Sequence, residues 1–181
     1  MHYIRLFWLA LSLVLGTAAA TPAAAAPEAA KATSNPVRIK IASIKLNQRI
    51  LSVGLDDNRI PIVPNHDVGW YNLSAQPGAG ENIVLWGHVL RFRSAPKTPA
   101  PFARVKELKL GDRIVLYDAK GKAFSYEITK QVWVTPDEVE YILPVGHERL
   151  TLVSCIGDKV INKGEVTEMT HRLITIAEPV R

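Results

Sequence analysis

Apolar and polar residues alternate along much of the chain after residue 36. Val37, Ile39 and Ile41 alternate with Arg38 and Lys40, and this period of two is typical of a half-buried β-strand. Similar short runs predict further strands at residues 49–55, 60–63, 81–88, 113–117, 123–134, 149–155 and 172–177. Glycine-containing turns separate many of these runs, and the turn at Lys120-Gly121 is short enough to predict a hairpin.

Helical signals are few by comparison. Residues 101–108 could form two turns and residues 137–141 about one turn. About eight short strands with so little helix predict a mainly β protein whose sheet forms a closed or nearly closed barrel.

The N-terminal residues have the pattern of an export signal. Arg5 precedes the apolar run Leu6–Leu15, and Ala18–Ala20 would suit a signal-peptide cleavage site. Residues 6–26 are uncharged, and their length is close to the roughly 20 residues that span a bilayer. We therefore predict that residues 1–20 are a signal peptide or an N-terminal membrane anchor, and both remain open. An Ala/Pro-rich linker follows at residues 21–35 and one folded domain at residues 36–181.

Charge and cysteine content exclude several classes of protein. The net charge of +5, from 22 basic and 17 acidic residues, is too small for a dedicated nucleic-acid-binding protein. The single cysteine, Cys155, excludes an intrachain disulfide framework and a cysteine-cluster metal site. We predict no cofactor and no required metal. An unpaired thiol in an exported protein calls for an explanation.

Three residues with reactive side chains lie at the ends of predicted strands. Alternation places His88 at the end of one apolar row, Cys155 at the end of a second and Arg172 at the start of a third. Cys155 and Arg172 would share one rim of the barrel if their strands pair antiparallel. His88 would join them if its strand runs parallel to that of Cys155.

Together these groups could carry out acyl transfer. A thiolate attacks an acyl carbon, an imidazole protonates the departing amine, and a guanidinium offsets charge on the tetrahedral oxygen. Each residue also has an ordinary structural interpretation, since a free cysteine is often buried and His88 or Arg172 could serve the fold alone. His171 is a rival base, but alternation turns it away from Arg172.

The same residues resemble the sortases, which are cysteine transpeptidases of bacterial cell surfaces. The matching features are Gly87-His88, the segment Thr151–Cys155 and Arg172 at the start of a terminal apolar strand, in the family order His, Cys, Arg. The stretches 68–71 and 80–88 are similar to the class E and class F members in particular. One difference is Ser154, because the family usually has threonine before the cysteine.

The resemblance implies an eight-stranded sortase β-barrel with Cys155 as nucleophile, His88 as acid and base, and Arg172 as oxyanion stabiliser. The expected substrate is a surface protein with a C-terminal LPxTG-like sorting signal, cleaved between Thr and Gly. The acyl group would pass to an amine of a peptidoglycan precursor or a pilin lysine. The enzyme would act outside the cytoplasm, tethered to the membrane by its N-terminal segment. Expected substrate-binding residues are Val139, Tyr141, Ile142, Leu143 and Ser154.

Two other classes of cysteine enzyme fit the sequence less well. Papain-like peptidases place the cysteine before the histidine, opposite to the order here, and the Ser-His-Gly-Cys signature of L,D-transpeptidases is absent from the sequence. The alternative that remains is an exported β-barrel binding module whose cysteine is buried and not catalytic.

Overall fold

The strands of the protein close into a barrel. A computed structural model describes residues 34–180. Its strands are β1 Pro36–Ile41, β2 Leu46–Val53, β3 Val68–Tyr71, β4 Asn82–Gly87, β5 Arg113–Asp118, β6 Ala123–Val134, β7 Arg149–Asn162 and β8 Glu165–Pro179. Helix within this part of the chain is limited to two short 3-10 segments, Val105–Glu107 and Val139–Ile142. Neither they nor any other helix at residues 34–180 has the length and apolar character needed to cross a membrane.

The order of strands around the barrel is β1-β2-β3-β4-β7-β8-β6-β5, and β5 pairs with β1 to close the ring. Two pairs, β2–β3 and β4–β7, are parallel, whereas the other pairs are antiparallel. The ring therefore brings together β4, β7 and β8, which carry the three reactive residues predicted from the sequence. It also sets β1 diametrically opposite β7.

Inward-facing residues of all eight strands fill the barrel. Alternation directs Ile39 and Ile41 of β1 inward, and Leu150 and Leu152 of β7 meet them in the same fully buried cluster. Burying an aliphatic side chain of this size contributes about 1.5–3 kcal/mol. The interior is therefore a packed core, and its contacts hold β4 and β7 in position.

A second apolar cluster lies on the outside of the barrel wall. Ile174 and Ile176 alternate along β8 with residues of the interior, so they point outward. We call this group the outer cluster; it consists of Val134, Ile174 and Ile176 with Val132, Tyr141 and Val153 packed against them. The segment between β6 and β7 covers it, since that segment supplies Tyr141.

The barrel with eight strands confirms the predicted fold class, but one predicted strand is wrong. Residues 60–63 make only an isolated bridge between Leu55 and Pro61, and Ile60 and Ile62 lie on the surface with 58% and 46% exposed. Proline in this run cannot donate to a ladder, which disfavours a strand there. The eighth strand is instead β3, whose four residues are too few to show alternation.

Three other elements differ in extent from the prediction. The two helical turns expected at residues 101–108 reduce to the single 3-10 segment Val105–Glu107, while the turn expected at 137–141 occurs at Val139–Ile142. The strands carrying Cys155 and Arg172 extend into a long hairpin, residues 149–179.

The predicted signal or anchor at residues 1–20 lies outside the described residues, as does the linker up to residue 33.

Candidate active site

Cys155 and Arg172 are direct partners across the β7–β8 ladder. Residues paired in this way have Cα atoms about 4.5–5.5 Å apart and point to the same face of the sheet. This face is the outer one, because Val153 and Ile174, two positions earlier on β7 and two later on β8, belong to the outer cluster. β7 and β8 pair antiparallel, which is the arrangement that the sequence analysis required for Cys155 and Arg172 to share one rim of the barrel.

His88 lies level with Cys155 on the neighbouring strand. β4 runs parallel to β7, and Gly87 is in register with Ser154. The residues that follow these two, His88 and Cys155, therefore lie level with each other. Alternation from Val84 and Trp86 directs His88 to the outer face. The structure thus places Cys155 and Arg172 on the adjacent strands β7 and β8 and His88 directly after β4, the other neighbour of β7, at one end of the barrel.

Packing on both sides fixes the position of His88. The Phe102 ring lies close to where a Cβ atom at Gly87 would be, with ring atoms from 3.0 Å away, and the Phe102 N–H donates to the His88 carbonyl at 2.9 Å. A side chain before the histidine would require this ring to shift by a few tenths of an ångström, which favours glycine in the Gly-His pair. The Phe92 ring meets the imidazole edge-on at a centroid distance of 5.0 Å.

The Arg172 guanidinium is held along its own strand. Nη2 donates to Glu168 Oε1 at 2.7 Å, and Nη1 donates to the carbonyls of Met169 and His171 at 2.9 and 3.2 Å. These bonds use three of the five N–H donors that an arginine has. Two donors remain for a ligand beside Cys155.

Burial sets the resting protonation of the cysteine and the histidine. It raises the pKa of the Cys155 thiol, while the Arg172 charge lowers that pKa and the Glu168 charge raises it. Burial lowers the pKa of His88; a hydrogen bond with the Val63 backbone opposes this shift, and the nearby His66 adds to it. At neutral pH the two groups therefore rest as thiol and uncharged imidazole.

A β-bulge follows Cys155 directly. The register of β7 against β8 shifts between Ile156 and Lys159, and Gly157 has a φ of 89°, a conformation that favours glycine. A Cβ atom there would lie 3.0 Å from His171 Nδ1 and closer still to Thr170 Oγ1. The bulge ends the regular ladder one residue after the cysteine and redirects the rest of the hairpin.

The segment between β6 and β7 lies beside the outer cluster and carries four of the expected substrate-binding residues. Tyr141 and Ile142 are half-buried, whereas Val139 and Leu143 are 54% and 50% exposed. Tyr141 packs against the outer cluster, which lies on the same face of the sheet as Cys155. We call this segment the groove wall, because the resemblance implies that the substrate groove lies between it and Cys155.

Ser154 does not share this groove. It pairs with Leu173 of the interior cluster, is 3% exposed, and donates to the Leu173 carbonyl at 3.5 Å. Alternation directs its side chain to the face opposite that of Cys155. Its hydroxyl accordingly contacts the barrel wall.

Sequence reasoning missed the residues that hold the groove wall. Asn82 Nδ2 donates to the carbonyls of Tyr141 and Leu143 at 3.0 and 2.9 Å, and its Oδ1 accepts from Thr151 Oγ1 at 2.8 Å. Arg149 Nη2 also donates to the Tyr141 carbonyl, at 2.9 Å. The available signal was an asparagine at the start of an otherwise apolar run, on the same face as Val84 and Trp86.

A second anchor of the wall is the carboxylate of Glu81. It accepts hydrogen bonds from the N–H groups of Val145 and Gly146, and these bonds lower the pKa of Glu81. Together with Asn82 it ties the end of the β6–β7 segment to the start of β4. The middle and the C-terminal part of the groove wall therefore depend on residues at the start of β4.

Among the other histidines of the described residues, His66 lies near His88, and the Phe92 ring meets both imidazoles edge-on. His171 pairs with Ile156, which packs against the interior cluster, so it does not share the face of Arg172. His66 and His147 are exposed. Nowhere in residues 34–180 do three His, Cys, Asp or Glu side chains group closely enough to hold a metal ion.

Comparison with known proteins gives a consistent result. The sortase domain model matches residues 39–180. Sortase A of Bacillus anthracis is 28% identical over 124 residues, which cover 67% of this chain and 52% of the relative; the chain thus spans about half the length of that protein.

Solved structures show the same barrel. Sortase A from Corynebacterium diphtheriae has a TM-score of 0.61 at 23% identity, covering 83% of this chain and 62% of that one. The lid mutant of Streptococcus agalactiae sortase C1 has a TM-score of 0.60 at 19% identity, covering 80% of this chain and 68% of that one. At these identities the structural likeness shows the fold alone, but the domain match extends over most of the sequence. The chain therefore belongs to the sortase family.

Proposed function

We propose that this protein is a cysteine transpeptidase that acts on a C-terminal LPxTG-like sorting signal. The observation that carries the proposal is the cross-strand pairing of Cys155 with Arg172, level with His88 and beside an apolar groove. Membership of the sortase family supports the same activity.

The reaction proceeds in two acyl transfers. Cys155 passes its proton to His88, and the thiolate attacks the carbonyl carbon of the signal threonine. Arg172 donates its two remaining N–H groups to the carbonyl oxygen as negative charge develops there. The His88 imidazolium then protonates the glycine nitrogen as the Thr–Gly bond breaks, leaving a thioacyl enzyme.

An amine resolves the thioacyl enzyme. His88 takes a proton from the incoming amine as its nitrogen attacks the thioester carbon, and Cys155 leaves as a thiolate. The product is a new amide between the threonine and the acceptor, either a peptidoglycan-precursor amine or a pilin lysine. Because Cys155 and His88 rest uncharged, only a small fraction of the enzyme holds the reactive ion pair at neutral pH.

The groove beside the outer cluster receives the apolar part of the signal. Val139, Tyr141, Ile142 and Leu143 supply its wall, and Val153 and Ile174 supply its floor. Leucine and proline, the first two residues of an LPxTG-like peptide, have apolar side chains that need no hydrogen-bond partner. They can therefore bury apolar surface in this groove. The enzyme works outside the cytoplasm, where its surface-protein substrates are exported.

The test is turnover of a fluorogenic LPxTG-like peptide with triglycine as acceptor, followed by mass spectrometry of the product. Cys155→Ala is expected to abolish both cleavage and transfer. Arg172→Ala is expected to reduce kcat by about 10²–10³ with an unchanged circular dichroism spectrum. His171→Ala, on the other face, serves as the matched control for His88→Ala and retains activity.

The same experiment separates the enzyme from a binding module. A methanethiosulfonate reagent should modify Cys155 in the folded protein and stop turnover, because the thiol is only half-buried. Full turnover by Cys155→Ala would contradict the proposed function, and a thiol that resists the reagent until the protein unfolds would favour a buried, non-catalytic cysteine.

A further inference from the structure

The ionisable side chains of β1 and β2 are all basic, and the carboxylates beside them include Asp67 and Asp118. β1, β2 and the turn between them, residues 36–53, contain four basic residues and no acidic one. Arg38, Lys40, Lys45 and Arg49 are all exposed. Arg49 forms an ion pair with Asp67 at 2.7 Å, whereas the other three have no carboxylate partner among residues 34–180. We call this surface the basic face.

The stability of the barrel does not explain this arrangement. Arg38 and Arg49 are direct partners across the β1–β2 ladder, and like charges in that position are unfavourable. Arg38 bonds to Asn47 rather than to an acid. Two open recesses of about 480 and 590 Å³ lie on this face, and Arg38 and Asn47 line both. The positive charge and the two recesses of the basic face would allow it to accept anionic groups from outside the protein.

A segment rich in carboxylates lies on the opposite side of the barrel, together with basic residues of β6, β7 and β8 such as Lys130, Arg149 and Arg172. Residues 135–148, which form the groove wall, contain Asp137, Glu138, Glu140 and Glu148 but no lysine or arginine. This segment packs on the outer cluster of β6, β7 and β8 through Tyr141. Because β1 lies diametrically opposite β7 in the ring, the two charged regions are separated by the full width of the barrel. An anionic surface would attract the basic face more strongly than the side that carries this segment.

We propose that the basic face binds the anionic phospholipid surface of a membrane and thereby turns the Cys155 groove away from it. The choice of lipid rests on the path of the chain. β1 is the first strand, and only residues 27–35 separate it from the uncharged stretch at residues 6–26. Nine residues reach at most about 30 Å, so a membrane that held this stretch would lie close to β1.

The attraction has a size and a salt dependence that can be measured. Each lysine or arginine near an anionic bilayer strengthens binding roughly fivefold. This contribution weakens as salt shortens the Debye length, which is about 8 Å at physiological ionic strength. The orientation is independent of the chemistry of Cys155, so its test does not rely on turnover.

Lysine footprinting on the full chain tests the proposal. The protein is bound to vesicles of phosphatidylcholine alone or of phosphatidylcholine mixed with phosphatidylglycerol, and labelled with an amine-reactive ester. On the mixed vesicles Lys40 and Lys45 should react several-fold more slowly, and added salt should remove this protection. Lys159 and Lys163 on the β7–β8 hairpin should react at the same rate on both.

Two double variants with the same change in net charge provide the control. Arg38→Glu/Lys40→Glu and Lys159→Glu/Lys163→Glu each take the chain from +5 to +1, since each replacement removes two charges. Only the first pair should abolish the protection of Lys45. Equal protection of both lysine sets, no protection on phosphatidylglycerol, or protection only by an added anionic wall polymer would overturn the proposal.

Discussion

The charges nearest to Cys155 come from β8. Arg172 lies directly across the ladder from the thiol, and Glu168, four residues earlier, bonds to that guanidinium at 2.7 Å. Burial raises the pKa of the thiol most; the Glu168 charge adds to this effect, whereas the Arg172 charge opposes it. Glu168 therefore positions Arg172 and also holds back ionisation of Cys155.

Glu168→Gln should lower the pKa of the Cys155 thiol. The substitution removes a negative charge that raises this pKa and leaves the positive charge of Arg172 without its partner. The measurement is the pH dependence of alkylation by iodoacetamide, whose midpoint should move to lower pH. Glu165→Gln is the matched control, because that carboxylate bonds to Arg93 instead. A midpoint that stays in place or rises in Glu168→Gln would contradict this role.

At the scale of elements, the site depends on where regular pairing stops. β7 pairs regularly with β8 through Ile156, and the bulge at Gly157 then redirects the hairpin. β4 ends at Gly87, where the Phe102 ring lies close to the position that a Cβ atom would take. The reactive residues therefore sit at the last regular positions, where the ladder fixes the backbone and the side chains still reach solvent.

Gly157→Ala should destabilise the hairpin more than Gly164→Ala. Both glycines have a positive φ, 89° and 79°, so both variants incur the cost of about 1–2 kcal/mol for a left-handed residue. The added Cβ at Gly157 also collides with Thr170, whereas the one at Gly164 meets nothing within 4 Å. Thermal denaturation should give the lower Tm for Gly157→Ala, and equal values would show that the contact has no effect.

Asn82→Ala should loosen the groove wall. It removes the two hydrogen bonds to the Tyr141 and Leu143 carbonyls and leaves Thr151 without its acceptor in a buried site. A lost buried partner costs about 1–3 kcal/mol. In the peptide assay we expect KM to rise by more than kcat falls, because the proposed role of the wall is to bind substrate and Cys155 lies elsewhere. The control Asn47→Ala, on the exposed side of β2, should change neither, and a loss confined to kcat would argue against the wall.

At the scale of the whole molecule, a buried hydroxyl group links three parts of the chain. Tyr126 of β6 is 1% exposed and donates to Glu148 Oε1 at 2.9 Å, and the same oxygen accepts from the Gly78 N–H at 3.0 Å. Burial raises the pKa of Tyr126, and the charge of Glu148 and this hydrogen bond raise it further. The folded barrel therefore requires Tyr126 to stay protonated.

Alkali should unfold the barrel partly through Tyr126. Because the folded pKa lies above the ordinary value of 10.0, the stability linked to this proton is complete below pH 10 and falls as pH rises toward the folded value. Urea denaturation should show a steeper alkaline loss of the free energy of unfolding for the native protein than for Tyr126→Phe. Tyr117→Phe, on the outer side of β5, should follow the native protein, and identical slopes for all three would contradict the assignment.

Sequence patterns predicted the class of the fold and the order of the reactive residues, since strands such as β1 and β6 alternate clearly and His88, Cys155 and Arg172 end or begin apolar rows. They could not predict pairing directions, which depend on contacts between distant segments. They failed at β3, which is too short to show a period, and at residues 60–63, whose apolar side chains lie on the surface. The anchors Asn82 and Glu81 bond to backbone atoms, and such bonds leave no motif.

The cross-strand pairing of Cys155 and Arg172 makes the tip of their hairpin replaceable. Backbone bonds of β7 and β8 on the barrel side hold the two residues together, so the residues beyond the bulge are not needed to set their spacing. A loop of different length or composition could be grafted between Val160 and Thr167, because this leaves Glu168 and Met169 in place to hold the Arg172 guanidinium. The tip of the hairpin is therefore where an engineer would vary the surroundings of the candidate active site without changing the spacing of Cys155 and Arg172.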